Sequence, residues 1–219
     1  MTAAFVALEL DAADPRGLAQ FWAGVLRREV DGTMLPPVGD PGFAIRFVPN
    51  PEPKIGLNQM HFDLTSSSLA DQQATVERAL AFGGQHLDVG QLPEEEHVVL
   101  ADPEGNEFCV VPPGNDFLRD TGVIGCLSCD GSRAVGLFWH RLLGWPLVWD
   151  EGEETAIQSP RGGTKISWGG PADRPKVGRN RLRLRLDVPD PDALTALGAT
   201  RLDDTTYADP DGNELCVSG

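Results

Sequence analysis

The chain repeats itself, and this internal duplication limits its fold more than any other feature. The segment ADPEGNEFCV at 101–110 returns as ADPDGNELCV at 208–217, with eight of the ten positions identical. Earlier, DPRGLAQFWAGVL at 14–26 is echoed by GSRAVGLFWHRLL at 131–143. A chain of 219 residues with two such copies is predicted to form two similar domains of about a hundred residues each.

Both copies are predicted to follow one order of helices and strands. Apolar residues such as Leu18, Phe21 and Val25 recur at helical spacing, which predicts an amphipathic helix in each FW segment. A second helix is predicted at 69–82, and its counterpart within 189–198 is about two turns shorter. Apolar and alternating runs between the helices predict strands, so the fold class is α+β with predominantly antiparallel hairpins.

The domain boundaries follow from the segment PPGNDFLRDTG, which is rich in Pro and Gly and has no periodicity. We predict a first domain at 1–112, a linker at 113–121 and a second domain at 122–219. In the first copy, strands are predicted near 3–11, 27–31, 43–48, 58–65, 96–101 and 107–111.

The repeated closing segment has the composition of a tight turn. Asp, Pro and Gly stand at the positions that favour a type I turn, with Gly105 and Gly212 left-handed before the last strand of each copy. On this interpretation Asp102 and Asn106 shape a hairpin and take no part in catalysis.

Composition narrows the choice of partners and compartment. The formal net charge is −15, which disfavours nucleic acid as a partner and would attract a cationic ligand. The amino-terminal sequence has neither a signal peptide nor a long apolar run, so we expect a cytoplasmic protein that does not contact membranes. The CLSC motif of Cys126 and Cys129 stands alone, and reduced, buried thiols are the preferred interpretation over zinc or redox chemistry.

The FW helix, the strand NQMHFDL at 58–64 and the DPxGNxxxV hairpin together resemble the vicinal oxygen chelate superfamily, which includes glyoxalase I, extradiol dioxygenases and bleomycin-binding proteins. The resemblance covers nearly the whole chain, in two copies. It implies βαβββ modules, two of which form a cup-shaped mixed sheet around one site. We therefore expect four modules and two cups, each cup built from the two modules of one copy.

In metal-using members, a divalent cation is held by His, Gln or Glu from the first and last strands of each module. By this resemblance, the ligand positions correspond to Ala7, Arg46, His61 and Cys109 in the first copy. In the second copy they correspond to Ile124, Ser167, Arg183 and Cys216. Only His61 is a standard ligand, and Arg183 would repel a cation. We expect no cofactor and no metal, with a divalent ion on a rearranged set of Glu9, His61 and Glu107 as the alternative.

Strand alternation predicts which other side chains face the first cup. The catalytic candidates are His61, Glu9 and Glu107, and the ligand-binding candidates are Arg46, Asp63 and Cys109. Such a set suits hydrogen bonding to a polar ligand, or a general base. The competing interpretation is an internal set of ion pairs around Arg46.

The second cup is predicted to carry two groups of ligand-binding candidates. The run RNRLRLRLDV places Arg181, Arg183 and Arg185 on one face, where they could bind a carboxylate or phosphate. Alternatively they pair with acids of a neighbouring strand, such as Glu151, Glu153 and Glu154, or form an exposed polar face of the sheet. Trp149 and Trp168 could form the floor of an aromatic pocket.

These observations favour a protein that binds or sequesters a small organic molecule without the usual metal, as a monomer or homodimer. Two alternatives stay open. One is a lyase, isomerase or dioxygenase of the same superfamily, with a rearranged site around His61. The other is a structural or interaction module whose cups are filled by side chains.

Overall fold

The computed structural model describes residues 3–39, 41–92, 94–169 and 176–218, and it divides into four modules. Module 1 spans 4–49 and contains β1 (Ala4–Ala12), α1 (Pro15–Leu26), β2 (Met34–Leu35) and β3 (Ala44–Pro49). Module 2 spans 60–110 and contains β4 (Met60–Leu64), α2 (Leu69–Ala81), β5 (Gln85–His86), β6 (Val98–Ala101) and β7 (Glu107–Val110).

The second half of the chain follows the same plan. Module 3 spans 124–168 and contains β8 (Ile124–Cys129), α3 (Arg133–Leu143), β9 (Leu147–Glu151), β10 (Glu154–Gln158) and β11 (Lys165–Trp168). Module 4 spans 182–218 and contains β12 (Leu182–Asp187), α4 (Asp192–Ala196), β13 (Thr200–Arg201), β14 (Thr206–Ala208) and β15 (Glu214–Ser218). The α+β class and the shortened helix of the second copy are confirmed.

The two FW helices begin and end with residues suited to those positions. Asp14 caps α1 by accepting a 3.0 Å hydrogen bond from Gly17 N, and Ser132 caps α3 through Val135 N. The residues that follow the two helices, Arg27 after α1 and Gly144 after α3, are both left-handed. The strand predicted near 27–31 is wrong. The left-handed residue Arg27 turns the chain after α1, and the short strand β2 forms only at Met34–Leu35.

The modules pair across the duplication. The 1–4 sheet, formed by modules 1 and 4, has the order β13-β14-β15-β12-β1-β3-β2, and the 2–3 sheet has the order β5-β6-β7-β4-β8-β11-β10-β9. Strand β1 is antiparallel to β12, as β4 is to β8, whereas the first and last strands of each module are parallel. The expectation that each cup is built from one copy is therefore wrong.

One face of each sheet packs against the helices. Alternate residues such as Leu8, Leu184, Phe62 and Leu127 enter a single continuous core with the apolar sides of α1 and α3. Trp22 lies edge-on to Phe62, with ring centroids 4.8 Å apart, so the helix of module 1 also packs against module 2. The opposite face of each sheet, here called its site face, carries the residues in between. Among the described residues, no helix has the length and apolarity needed to cross a membrane.

The repeated closing segment fixes each FW helix to the next module. Asp102 Oδ1 accepts hydrogen bonds from Glu104 N and Asn106 N at 2.9 Å, and Gly105 has φ of 83°. The other oxygen, Oδ2, accepts from Trp22 Nε1 at 3.1 Å. Asp209 binds Trp139 in the same way at 3.2 Å. The hairpin interpretation is thus confirmed, and the duplicated Trp has a duplicated partner.

Candidate functional site

The site face of the 1–4 sheet is filled by ion pairs. Arg183 is fully buried, and its guanidinium lies 2.6 Å from Asp11 Oδ1 and 3.8 Å from Glu9 Oε2. Arg185 donates from Nε to Glu9 Oε1 at 2.5 Å. Because both carboxylates are also buried, these charges neutralise one another inside the protein and leave little for a ligand.

Arg181 is likewise held by the protein itself. It donates to Glu104 Oε2 at 2.8 Å and to Asn106 Oδ1 at 3.1 Å, both in the closing hairpin of module 2. The three arginines therefore pair with acids of module 1 and of this hairpin. The expectation that they pair with acids at 151–154 is wrong, because those residues belong to the 2–3 sheet.

The predicted ion pairs exist, but they do not surround Arg46. That side chain is exposed, while Arg183 and Arg185 take the central positions. The six residues predicted for the first cup are also divided. Glu9 and Arg46 lie on the 1–4 sheet, whereas His61, Asp63, Glu107 and Cys109 lie on the 2–3 sheet.

The site face of the 2–3 sheet opens into a cavity of about 430 Å³. Its lining comes from β4, the linker and module 3, namely His61, Phe117, Ser128, Cys129, Asp130, Trp149, Glu154, Thr155, Ser167, Trp168 and Gly169. Three predicted site residues thus meet here, one from the first copy and two from the second. They meet because module 2 pairs with module 3.

Strand register explains how these residues come to share one face. His61 is paired with Ser128, Ser128 with Ser167, Ser167 with Ala156 and Ala156 with Trp149. Directly paired residues of neighbouring strands point to the same side of a sheet. A single row therefore runs from an imidazole, past two hydroxyls and a small apolar residue, to an indole.

At the imidazole end of this row stands a cluster of three ionisable groups. His61 Nε2 lies 3.5 Å from Asp63 Oδ1, and Cys109 is opposite Asp63 on the parallel strand β7. The donor atoms of the three side chains all lie within 4.8 Å of one another. Ser128 Oγ donates to the remaining oxygen of Asp63 at 2.5 Å.

The charges of His61 and Asp63 stabilise each other. Burial works against both charged forms, but the hydrogen bond between the two side chains prevails, so the pKa of His61 is raised and that of Asp63 is lowered. Burial also raises the pKa of the Cys109 thiol. At neutral pH the cluster is therefore an imidazolium–carboxylate pair beside a neutral thiol.

Aromatic rings form the far wall of the cavity. Phe117 of the linker meets Trp149 of β9 edge-on, with centroids 5.9 Å apart, and Trp149 is partly exposed. Trp168 follows Ser167 on β11 and therefore points to the helix side, where it stacks on Trp139 with ring planes 13° apart and borders the cavity from beneath the sheet. The linker thus contributes directly to the site, a role that its Pro- and Gly-rich composition does not indicate.

Glu107, the remaining catalytic candidate, is engaged elsewhere. It is buried, 2.8 Å from Lys54 Nζ, and accepts a 3.2 Å hydrogen bond from Asn58 N. The second copy repeats this arrangement, with Glu214 2.6 Å from Lys176 Nζ. A contact that recurs in both sheets, although the cavity belongs to the 2–3 sheet, indicates a structural role for Glu107.

Cys126 and Cys129 are free thiols on strand β8. Being three residues apart on a strand, they point to opposite faces of the sheet. Cys126 lies on the site face, 3.2 Å from Ser167 Oγ, and Cys129 joins the helix-side core. This geometry does not allow the two thiols to form a disulfide or to share a metal ion.

The residues at the superfamily's metal positions do not reproduce its ligand set in either sheet. In the 1–4 sheet, the buried guanidinium of Arg183 occupies one position and is already neutralised by Asp11. In the 2–3 sheet, module 3 offers the core residue Ile124 and the hydroxyl of Ser167. The ligand set of the superfamily therefore cannot be carried over, position by position, to this chain.

Several residues of the cavity are absent from the sequence-based list of candidates. Phe117, Ser128 and Glu154 bring an aromatic ring, a hydroxyl and a carboxylate to the lining. Side chains alternate between the two faces along β8 and β11, and this alternation would have placed Ser128 and Ser167 on the same face of the sheet. No feature of the sequence, however, predicts that the strands of module 3 pair with those of module 2.

Comparison with known proteins places this geometry in a family. The model of a glyoxalase-like domain matches residues 7–111 and 125–218. No curated protein matches the chain. Glyoxalase I from Zea mays is 14% identical, with a TM-score of 0.69, and the alignment covers 99% of this chain and 92% of that one.

A putative dioxygenase from Bacillus subtilis is also 14% identical, with a TM-score of 0.60, 99% of this chain covered and 84% of that chain. Identities this low establish a shared fold and do not extend to activity. The two matched segments nevertheless account for most of the chain. The chain belongs to the glyoxalase-like domain family, within the vicinal oxygen chelate superfamily, and carries two copies of that domain.

Proposed function

We propose that the chain binds a small organic cation with an aromatic part in the cavity of the 2–3 sheet. The observation that carries the proposal is the lining, which combines the rings of Phe117 and Trp149 with the carboxylate of Glu154. At about 430 Å³ the cavity falls within the range of small-molecule sites, roughly 300–1,000 Å³.

Charge supports a cation as the ligand. Among the lining residues that the structure describes, His61 is the one whose side chain can be positive, and it lies against Asp63. Glu154 adds a carboxylate to this lining, in a chain whose net charge is −15. A cation is attracted to such a cleft, and the face of Trp149 adds a cation–π contact.

The 1–4 sheet has no comparable role in this proposal. Its arginines and acids already pair with each other, so a ligand would have to break buried ion pairs. A cavity of this size suits a binding protein that sequesters a drug or metabolite. A fully filled structural module does not fit a cavity lined by His61.

The test is a titration of metal-free protein with an aromatic quaternary ammonium, followed by Trp fluorescence and calorimetry. The neutral tert-butyl isostere and an aromatic carboxylate of matched size serve as comparison ligands. We expect saturable binding of the cation at one site. Equal affinity for the neutral isostere would overturn the proposed role of charge.

Matched variants locate the binding. Glu154→Gln removes one acid of the lining, and Glu153→Gln removes the exposed neighbour outside it. We expect Glu154→Gln to weaken binding about 3- to 10-fold, as for a partly exposed ion pair, and Glu153→Gln to leave it unchanged. Trp149→Ala should cost about 1–2 kcal/mol of binding free energy.

One observation favours a second candidate, an enzyme of the same superfamily. The His61–Asp63 pair lies at the edge of the cavity and can give or accept a proton beside a bound molecule. An activity found by screening should then fall at least about 100-fold in His61→Gln. If His61→Gln retains that activity in full, this candidate is excluded.

A further inference from the structure

We propose that Ser128 and Ser167 make the cavity selective for organic cations that carry N–H groups, namely protonated primary and secondary amines, over quaternary ammonium ions. This selectivity rests on the proposed function, since it concerns the same cavity. Its origin is a chain of hydrogen bonds on the site face of the 2–3 sheet, which leaves both hydroxyl oxygens able to accept a hydrogen bond from a ligand but not to donate one.

The hydrogen bonds of this chain all run toward Asp63. Ser128 Oγ lies 2.5 Å from Asp63 Oδ2, and a carboxylate can only accept, so the hydroxyl hydrogen of Ser128 points to Asp63. The 3.4 Å contact between the two serine oxygens must then use the hydrogen of Ser167. Behind it, the thiol of Cys126 donates to Ser167 Oγ at 3.2 Å.

The two ends of the chain fix this direction. At one end, His61 Nε2 lies 3.5 Å from Asp63 Oδ1, and the imidazolium keeps the carboxylate ionised. At the other end, burial raises the pKa of the Cys126 thiol to about 12, so this group keeps its hydrogen at neutral pH. The thiol therefore donates and the carboxylate accepts, and the serines between them have no alternative arrangement.

Each serine is left with one unused lone pair. A hydroxyl has one hydrogen to donate and two lone pairs with which to accept. Ser128 accepts from Ser167, and Ser167 accepts from Cys126, so one lone pair remains on each oxygen. Both serines line the cavity and are partly exposed. A ligand that reaches these two side chains therefore meets two acceptors and no hydroxyl donor.

Two acceptors 3.4 Å apart suit an ammonium group. Hydrogen bonds from N–H to oxygen are about 2.9 Å long, so one nitrogen can lie within reach of both serine oxygens. Glu154 supplies a negative charge on the same face, because Ser167 is paired with Ala156 and Glu154 is two residues before Ala156 on β10. Such diagonal neighbours are about 7–8 Å apart, a gap that the length of a glutamate side chain narrows toward a shared nitrogen.

Methylation of the nitrogen removes the groups that the serines would bind. A quaternary ammonium ion keeps its charge and is still attracted by Glu154 and Trp149, but it leaves both serine oxygens without a donor. These oxygens lose water when the ligand covers them, and an acceptor left without a partner costs binding free energy. Hydrogen bonds from charged donors are among the stronger ones, so we expect at least about a 10-fold preference for amines that can fill both acceptors.

The test is a methylation series of one aromatic amine, titrated calorimetrically at neutral pH. The series runs from benzylammonium through its N-methyl and N,N-dimethyl forms to benzyltrimethylammonium, so the charge stays the same while the N–H groups are lost one at a time. Because two acceptors are available, we expect the first two ions to bind alike, the dimethyl ion more weakly, and the quaternary ion at least about 10-fold more weakly. Affinity that stays equal along the series, or rises with each methyl group, overturns the proposal.

Variants assign the preference to the hydroxyl groups. Ser167→Ala removes one acceptor and should lower the affinity ratio of benzylammonium to benzyltrimethylammonium about 3- to 10-fold. Ser167 is the informative choice, because Ser128→Ala would free an oxygen of Asp63 as a new acceptor. Ser218→Ala is the matched control, since alternation along β15 places Ser218 on the site face of the 1–4 sheet, outside the cavity lining, and its ratio should equal that of the wild type. An unchanged ratio in Ser167→Ala would show that the hydroxyls do not select the ligand.

The affinity ratio is insensitive to loss of folding, because a misfolded fraction reduces the binding of both ions alike. The same titrations also separate this selectivity from the proposed function. If benzyltrimethylammonium binds no better than its neutral tert-butyl isostere, the proposed cation site fails. If it binds better than the isostere but as tightly as benzylammonium, the cation site stands and the selectivity for N–H groups is wrong.

Discussion

Replacing Arg183 by Met would test how strongly the ion pairs of the 1–4 sheet support the fold. The guanidinium is fully buried between Asp11, at 2.6 Å, and Glu9, at 3.8 Å. Methionine has a similar length and no charge, so both carboxylates lose a cation that water cannot replace. Removing one partner of a buried ion pair costs about 3–5 kcal/mol of unfolding free energy.

The remaining contacts place the expected loss near the lower end of that range. Asp11 keeps a 2.8 Å hydrogen bond from Asn50 and a 3.4 Å ion pair with Arg179. Glu9 keeps Arg185 at 2.5 Å. We therefore expect a loss of about 3 kcal/mol. For a chain of this length, that corresponds to a fall in Tm of roughly 6–12 °C.

The assay is urea unfolding at pH 7, followed by Trp fluorescence. Arg201→Met provides the control, because this arginine pairs with Asp204 at the surface and its removal should cost less than about 1 kcal/mol. Adding Asp11→Leu to Arg183→Met should recover part of the loss, since no buried charge then lacks a partner at that position. A loss for Arg183→Met no larger than that of Arg201→Met would refute the reasoning.

Two further predictions concern the duplicated aspartates and a close helix–sheet contact. Burial raises the pKa of Asp102 and of Asp209 from 3.8 to about 6, so the folded chain binds more protons than the unfolded chain between these values. The free energy of unfolding should therefore fall as pH rises from about 4 to 6. In the double variant Asp102→Asn/Asp209→Asn this fall should be smaller. The measurement is the urea midpoint as a function of pH, and an equal slope in the variant and the wild type would contradict the prediction. In α3, Gly136→Ala places its Cβ 1.9 Å from Thr155 Oγ1 and should cost about 1–3 kcal/mol. Thr155→Ala should restore most of that stability in urea melts, and no recovery would mean that the strain lies elsewhere.

Local features of the fold could be read from the sequence because their causes are local. The turn around Gly105 depends on residues only a few positions apart. The helix spacing of the FW segments likewise needs no tertiary information. These elements appear where the sequence predicts them.

The pairing of the modules could not be read in this way. Modules 1 and 3 share one order of strands and helix, as do modules 2 and 4, so this order alone does not say whether β1 pairs with β4 or with β12. The choice is made by contacts far apart in sequence, such as Arg183 with Asp11 and Ser128 with Asp63. Alternation therefore indicated which residues face a site, but not which strands share it.

The same limit explains the mixed outcome for the site residues. His61, Asp63 and Cys109 come together because β4 and β7 belong to one module, and that much follows from the resemblance. Trp149 joins them only through module 3. Phe117 joins them only because the linker crosses the site face, and its sequence carries no periodic signal.

The crossed pairing also sets an order for folding during synthesis. Asp63 and Ser128 in the 2–3 sheet are 65 residues apart, whereas Asp11 and Arg183 in the 1–4 sheet are 172 apart. Contacts between distant residues form later and more slowly, because a longer loop must be closed. As the ribosome delivers the chain from its amino end, the cavity-bearing sheet has all its strands once β11 emerges, while β1 must wait for module 4. The earliest strand to leave the ribosome is thus among the last to be completed.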